Sequence, residues 1–348
     1  MRTSFVLALL FVAACGAGGG VATLPRYQGE PLPGEEDFRK RSDYTPEDAP
    51  LAWMADGSLL VAHSELYGDE DIVERSCAGS GFYRVTVRGG GAEPVRVDEA
   101  ACDAAWMYNG GAATPDGSAV VYTVTTPQST RLVKLELASG RADTLAAHCS
   151  LFRRSAAISR DGAKVSAIGS CEGFAEERGI YTLSLDGTGL RRIPGDGTGL
   201  AWELAWAPDG SRFTVASAPA HALGHTLLVG DTTGQRSKLG VYGTAPSWSP
   251  DGEWIAFLIY DPAQEERVIR VVRPDGSDDH IVFTNKVMTP YSRGWEKRRE
   301  GEPSGPLVWS PDSKSLAFRR TFDYGTSVWI LDVESKRARQ VTAPDGRS

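Results

Sequence analysis

The sequence predicts an all-β chain, a six-bladed β-propeller of four-stranded antiparallel blades. Three observations predict it. First, a strand, a tight turn and a second strand recur six times: AWMADGSLLVA from Ala52, AATPDGSAVVY from Ala112, AISRDGAKVSA from Ala157, AWAPDGSRFTV from Ala205, SWSPDGEWIAF from Ser247 and VWSPDSKSLAF from Val308. Second, their reference aspartates, Asp56, Asp116, Asp161, Asp209, Asp251 and Asp312, are 60, 45, 48, 42 and 61 residues apart. A period of roughly 40–60 residues is one four-stranded blade, and such repeats build propellers or solenoids. Third, a second hairpin follows every signature, while no stretch keeps a 3.6-residue period, so helix is expected to be scarce.

The elements follow in chain order. Residues 1–14 read as a signal peptide. Arg2 supplies a positive charge, and the apolar run from Phe5 to Ala14 is too short to span a bilayer. Val12-Ala13-Ala14-Cys15 resembles the bacterial lipobox. The resemblance implies that Cys15 is acylated and becomes the mature N-terminus; an ordinary secretory signal with an incidental cysteine is the alternative. Gly16 follows the cysteine, which by the sorting rule of enteric bacteria implies the outer membrane, facing the periplasm. Residues 15–50 carry GAGGG, five prolines and mixed charge without apolar periodicity, and read as a flexible tether. Residues 51–348 hold the repeats.

Within a repeat, strands A to D run from the axis outward. In the third, SAAIS is strand A, Arg160-Asp161-Gly162 turns, KVSAIGS is strand B, GIYTLSL is strand C, and LRRIP is strand D beyond a second Asp-Gly turn. Apolar and polar residues alternate as half-buried strands require, and Asp-Gly supplies the positive φ of a hairpin turn. Three residues before the reference aspartate stand Trp53, Ala113, Ile158, Trp206, Trp248 and Trp309; the residue before each is small or Val308. Large residues on one blade fit small ones on the next, so these tryptophans are expected in the core.

Without Arg2 the chain has 36 basic and 45 acidic residues, 36 − 45 = −9, which opposes nonspecific binding to nucleic acid. Beyond Cys15 remain Cys77, Cys102, Cys149 and Cys171, an even number that suggests disulfides in an exported protein. The repeat puts all four on the face of the B–C loops and D-to-A links. Cys77–Cys102 and Cys149–Cys171 are the shortest closures; a zinc site is the alternative, though no CxxC or nearby histidine pair supports it.

These motifs resemble the TolB-type propeller repeat, whose hallmark is Trp-Ser-Pro-Asp-Gly before an apolar strand. Ser247 to Asp251 and Trp309 to Asp312 match best, and the likeness runs from about Leu51 to Gly346. The resemblance implies the fold strongly and the activity weakly, since the family includes the scaffold TolB, which binds other envelope proteins, and the propellers that gate prolyl peptidases. Only the tether is read before the first repeat and no hydrolase-type segment after the sixth, so neither TolB's transport role nor a peptidase activity is expected from the resemblance.

No catalytic motif, cofactor loop or metal-binding pattern stands out. His221 and His225 are four apart in a B–C loop, and the acidic run Glu65, Asp69, Glu70, Asp71, Glu74 lacks calcium-loop order. No cofactor and no metal are expected. The longest excursions are residues 64–81 and 284–305, and the second carries Tyr291, Arg293, Trp295, Lys297, Arg298 and Arg299. Aromatic residues and arginine are enriched at binding hot spots, so these six are the candidate partner-binding residues. The function expected is a non-enzymatic, monomeric envelope lipoprotein that binds a protein, peptide or glycan and touches the membrane only through its N-terminal lipid. The alternative is a propeller enzyme of lyase, hydrolase or cyclotransferase type acting at the channel mouth.

Overall fold

A computed structural model describes residues 22–24, 44–67, 80–88, 90–98, 100–101, 111–125, 130–146, 149–151, 156–171, 178–194, 201–221, 224–261, 266–284, 301–322 and 325–343. The elements that build the sheets are all strands, and among the described residues only Ala100 and Ala101 are helical. After β1 (Ala22–Thr23), β2 (Tyr44–Trp53), β3 (Leu59–Tyr67), β4 (Gly81–Val85) and β5 (Ala92–Val97) form an antiparallel sheet in sequence order. The next sheet repeats this with β6 (Gly111–Ala113), β7 (Ala119–Thr125), β8 (Thr130–Glu136) and β9 (Ala142–Thr144). The third contains β10 (Cys149–Leu151), β11 (Ala157–Ile158), β12 (Lys164–Cys171), β13 (Gly179–Ser184) and β14 (Arg191–Arg192), with both β10 and β11 on β12.

A seven-stranded sheet follows: β15 (Ala201–Trp206), β16 (Arg212–His221), β17 (Gly224–Asp231), β18 (Arg236–Trp248), β19 (Ile255–Asp261), β20 (Glu266–Val272) and β21 (His280–Phe283). The first half of β18 pairs with β17 and the second half, from Thr244, with β19. One strand thus ends one repeat and begins the next. The last sheet is β22 (Glu302–Trp309), β23 (Ser315–Phe322), β24 (Gly325–Asp332) and β25 (Arg337–Gln340); β26 (Thr342–Ala343) then pairs in parallel with β1. The result is an all-β, propeller-like arrangement of four-stranded antiparallel sheets.

The signature turns explain their own sequence. Ser310 Oγ donates to Asp312 Oδ1 at 2.6 Å and accepts from Ser315 N at 2.9 Å, while Lys314 N donates to the same aspartate at 3.2 Å. Ser249 with Asp251 and Ser159 with Asp161 form the same small ring. The residue after the aspartate turns left-handed: φ is 76° at Gly252 and 60° at Ser313, where glycine is missing.

Apolar clusters sit between consecutive sheets. One joins Val121 and Leu132 to Val165 and Tyr181, another Ile168 and Ile180 to Phe213 and Leu228, and a further one joins Leu59, Val61 and Tyr83 to Ala317, Val328 and Ile330, so the last sheet packs on the first. The tryptophans staple these seams. Trp206 Nε1 donates to Ser166 Oγ at 2.8 Å, Trp309 Nε1 to the Ser247 carbonyl at 3.1 Å, and Trp53 Nε1 across the closing seam to the Val308 carbonyl at 3.0 Å.

The seam between last and first sheets also holds buried polar groups. The Asp48 carboxylate accepts from Thr342 Oγ1 and lies 2.7 Å from His63 Nδ1, with both side chains fully buried. The Asp48 amide donates to Thr326 Oγ1 at 2.8 Å, and Arg319 lies 3.3 Å from the Glu47 carboxylate. Two boundaries differ from the sequence reading. Strand β2 starts at Tyr44, inside the segment read as tether, and β1 lies there too. Pro46 and Pro50 obscured β2, but β2 is the edge strand of its sheet, where a missing N–H is tolerated.

Candidate functional site

The inner strands of every repeat surround an axial cavity of about 300 Å³. Its lining includes Leu51, Ala113, Ile158, Trp206, Trp248 and Trp309, and Arg160 is the charged lining residue. Such a wall suits an apolar or aromatic group and, among the described residues, offers no carboxylate or imidazole. Among the described residues no group of three or more His, Cys, Asp or Glu could hold a metal ion.

Polar chemistry gathers instead around the start of β15, on the side where the B–C hairpins and D-to-A links open. The pairing of β15 with β16 slips between Ala201 and Glu203, leaving Trp202 as the bulged residue. Bulges re-aim side chains, and Trp202 is 41% exposed, while Leu204 and Trp206 further along the strand are buried. The Trp202 ring stacks on His225 of β17, with centroids 5.5 Å apart and planes 24° from parallel. Next to it, Glu203 accepts a hydrogen bond from the Ala245 amide of β18. Ala245 occupies the equivalent position in the following repeat and has φ of 50°. Burial pushes the His225 imidazole below its usual value, and the negative charge of Glu203 partly opposes that. The imidazole is therefore neutral at pH 7, and its Nδ1 is buried without a hydrogen-bond partner among the described residues. Tyr260, at the hairpin end of β19, is a second exposed aromatic on this side, at 44%. The arrangement offers a flat aromatic surface, a hydrogen-bonded carboxylate and a neutral imidazole within one mouth.

Of the residues singled out in the sequence, Cys149 and Cys171 are directly opposed on β10 and β12, 4.0 Å apart between Cα atoms, and form a disulfide. Both stand in strands, because the link holding Cys149 adds β10 to the sheet. Cys15, Cys77 and Cys102 lie outside the described residues, as do Tyr291, Arg293, Trp295, Lys297, Arg298 and Arg299. The strands that flank those six residues in sequence are β21 and β22. Sequence reasoning missed Trp202 and Glu203 and set His225 aside as a metal ligand. A signal was present: where this repeat has Trp202, others have Ala49, Thr244 and Gly305.

No family model matches the chain. Dipeptidyl-peptidase 5 of Porphyromonas gingivalis is 24% identical over 156 residues, covering 40% of this chain and 20% of that protein. The chain thus spans about a fifth of that relative's length. Among solved structures, TolB from Acinetobacter baumannii gives a TM-score of 0.53 at 14% identity, covering 86% of this chain and 65% of that one. The putative TolB from Agrobacterium tumefaciens gives 0.55 at 18%, covering 72% and 83%. The fold is that of a TolB-like propeller. Oligogalacturonate lyase from Vibrio parahaemolyticus is also similar, with a TM-score of 0.51 at 18% identity over 88% of this chain and 81% of that one. At these identities the likeness is one of fold.

Proposed function

We propose that the chain is a monomeric, membrane-anchored envelope propeller of six blades that binds a protein, peptide or glycan at the mouth around Trp202. The blade count takes the seven-stranded sheet as two blades sharing β18, which agrees with the six signature turns. The anchor is a lipid on Cys15, with the protein at the outer membrane facing the periplasm; the lipobox-like run before Cys15 supports this. Catalysis is not part of this reading. The observation that carries it is the exposed Trp202 ring, held by a bulge and backed by His225 at the axial mouth. A rigidly presented aromatic surface on a propeller rim gives large contact area at little entropic cost. Tyr291, Arg293, Trp295, Lys297, Arg298 and Arg299, between β21 and β22 in sequence, are proposed as further partner-binding residues for their aromatic and arginine character, and the acidic balance of the chain opposes nucleic acid as the partner.

Crosslinking in intact cells, followed by affinity capture, tests the reading. Wild-type chain is expected to retain a partner that both Trp202→Ala and the pair Trp295→Ala with Arg298→Ala lose. Equal capture by all three overturns the site. The second reading, an enzyme at the same mouth, is favoured by Glu203 beside an imidazole that burial keeps neutral, a pairing suited to proton transfer. Turnover of an envelope glycan or peptide that Glu203→Gln abolishes without weakening binding would establish it.

A further inference from the structure

The seam where the ring closes carries two features that the binding mouth does not use. One is the N-terminal strand: Ala22 and Thr23 pair with Thr342 and Ala343, and Leu24 is fully buried in the apolar cluster shared by the first and last sheets. The other is a set of like charges. Arg88 follows Val87, which packs on that cluster from the turn between β4 and β5. Arg339 lies on β25, two residues before Val341 of the same cluster. Burial and the facing charge of Arg88 both hold the Arg339 guanidinium below its usual value. Arg337 is exposed on the same strand face as Arg339.

Several arginines of the other outer hairpins are neutralised. Arg141 lies 2.7 Å from Glu136, Arg270 2.8 Å from Asp279 and Arg273 2.5 Å from Glu253. Among the described residues, Arg88, Arg337 and Arg339 have no such carboxylate. Asp332 ends β24 directly opposite Arg337, but no ion pair joins them among the described residues and its carboxylate accepts from the Ser335 amide at 2.8 Å; Glu334 lies in the turn before β25. An unneutralised cationic seam in a chain of net charge −8 is a place for an anion.

We propose that this seam is the membrane-facing edge of the propeller, and that Arg88, Arg337 and Arg339 bind the phosphates of anionic lipid headgroups. The inference rests on reading Cys15 as the lipidated residue. Ala22 follows Cys15 by seven residues, and covalent geometry limits that chain to about 25 Å. The ring is therefore leashed at its closing seam, close to the bilayer, and the basic cluster lies at the end of the leash. A lipid anchor and a basic patch act as two signals that reinforce each other, and each arginine at an anionic surface strengthens binding roughly fivefold.

The test uses the full mature chain with Cys15→Ser, sedimented with phosphatidylcholine vesicles with or without phosphatidylglycerol. The expected result is binding to the anionic vesicles alone, weakened by salt, and lowered roughly fivefold by each of Arg88→Gln, Arg337→Gln and Arg339→Gln. These variants remove repulsion, so the fold is retained. In the acylated chain, a fluorophore at Arg337→Cys is expected to be quenched by a lipid-phase quencher, and one at Ser211→Cys, across the ring, is not. Equal binding to neutral vesicles, an unaffected triple variant, or displacement by inorganic phosphate at constant ionic strength overturns the proposal; the last would mark a free-phosphate site. Mass spectrometry of the N-terminal peptide reads the anchor separately. An unmodified Cys15 overturns the anchored form, whereas an acylated Cys15 without charge-dependent binding overturns the seam alone.

Discussion

At the scale of single residues, the repeated letters are those that make the turn self-sufficient. Ser310 serves Asp312 and Ser315 at once, so Ser310→Ala removes a donor and an acceptor together. It is expected to cost roughly 1–2 kcal/mol in urea unfolding. The serine hydroxyl is the main cause that holds the Asp312 carboxyl below its usual value, as Ser159 does for Asp161. Because these pKa values are depressed in the folded state, the stability they supply is full above the ordinary carboxylate value. It is lost as pH falls through the folded values. Tryptophan fluorescence is expected to stay level between pH 7 and pH 5, from these groups, and to report unfolding below about pH 4. In Ser159→Ala the acid midpoint is expected to move up. The aspartates and glycines of the turns were readable at once, because local hydrogen bonding and backbone sterics select them. Trp202 was not, because its exposure comes from a one-residue slip against β16 that alternation along β15 does not encode.

At the scale of elements, the seams carry the fold. Trp206→Phe keeps most of the packed ring and removes the bond to Ser166 Oγ. It is expected to lower stability by about 1 kcal/mol, whereas Trp202→Ala, on an exposed ring, is expected to leave the denaturation midpoint nearly unchanged. That contrast separates staple from surface in two proteins of similar composition. The disulfide between β10 and β12 closes 22 residues, and Cys149→Ser with Cys171→Ser is expected to cost about 3 kcal/mol by the chain-entropy account. Strand order was legible wherever an Asp-Gly turn separates two apolar runs. It was not legible at β10, a link recruited into a sheet, nor at β18, where no turn divides two repeats.

At the scale of the whole molecule, closure depends on residues far apart in sequence. Thr342 donates to Asp48 and accepts from the Val328 amide at 2.9 Å. Thr342→Val leaves both groups buried without that hydroxyl and is expected to cost about 2 kcal/mol or more, with the fastest gain in hydrogen exchange along β2 and β24. Six signatures made a ring legible. The closing strand was hidden, because β1 is two residues long and takes its conformation from a partner more than three hundred positions away. That pairing bears on biosynthesis. A chain emerging N-terminus first keeps its opening sheet unsealed until its final strand is made. A protease that clips after Val341 would undo the same seal, turning the loss of a few residues into exposure of the wall formed by Leu24, Val61 and Tyr83.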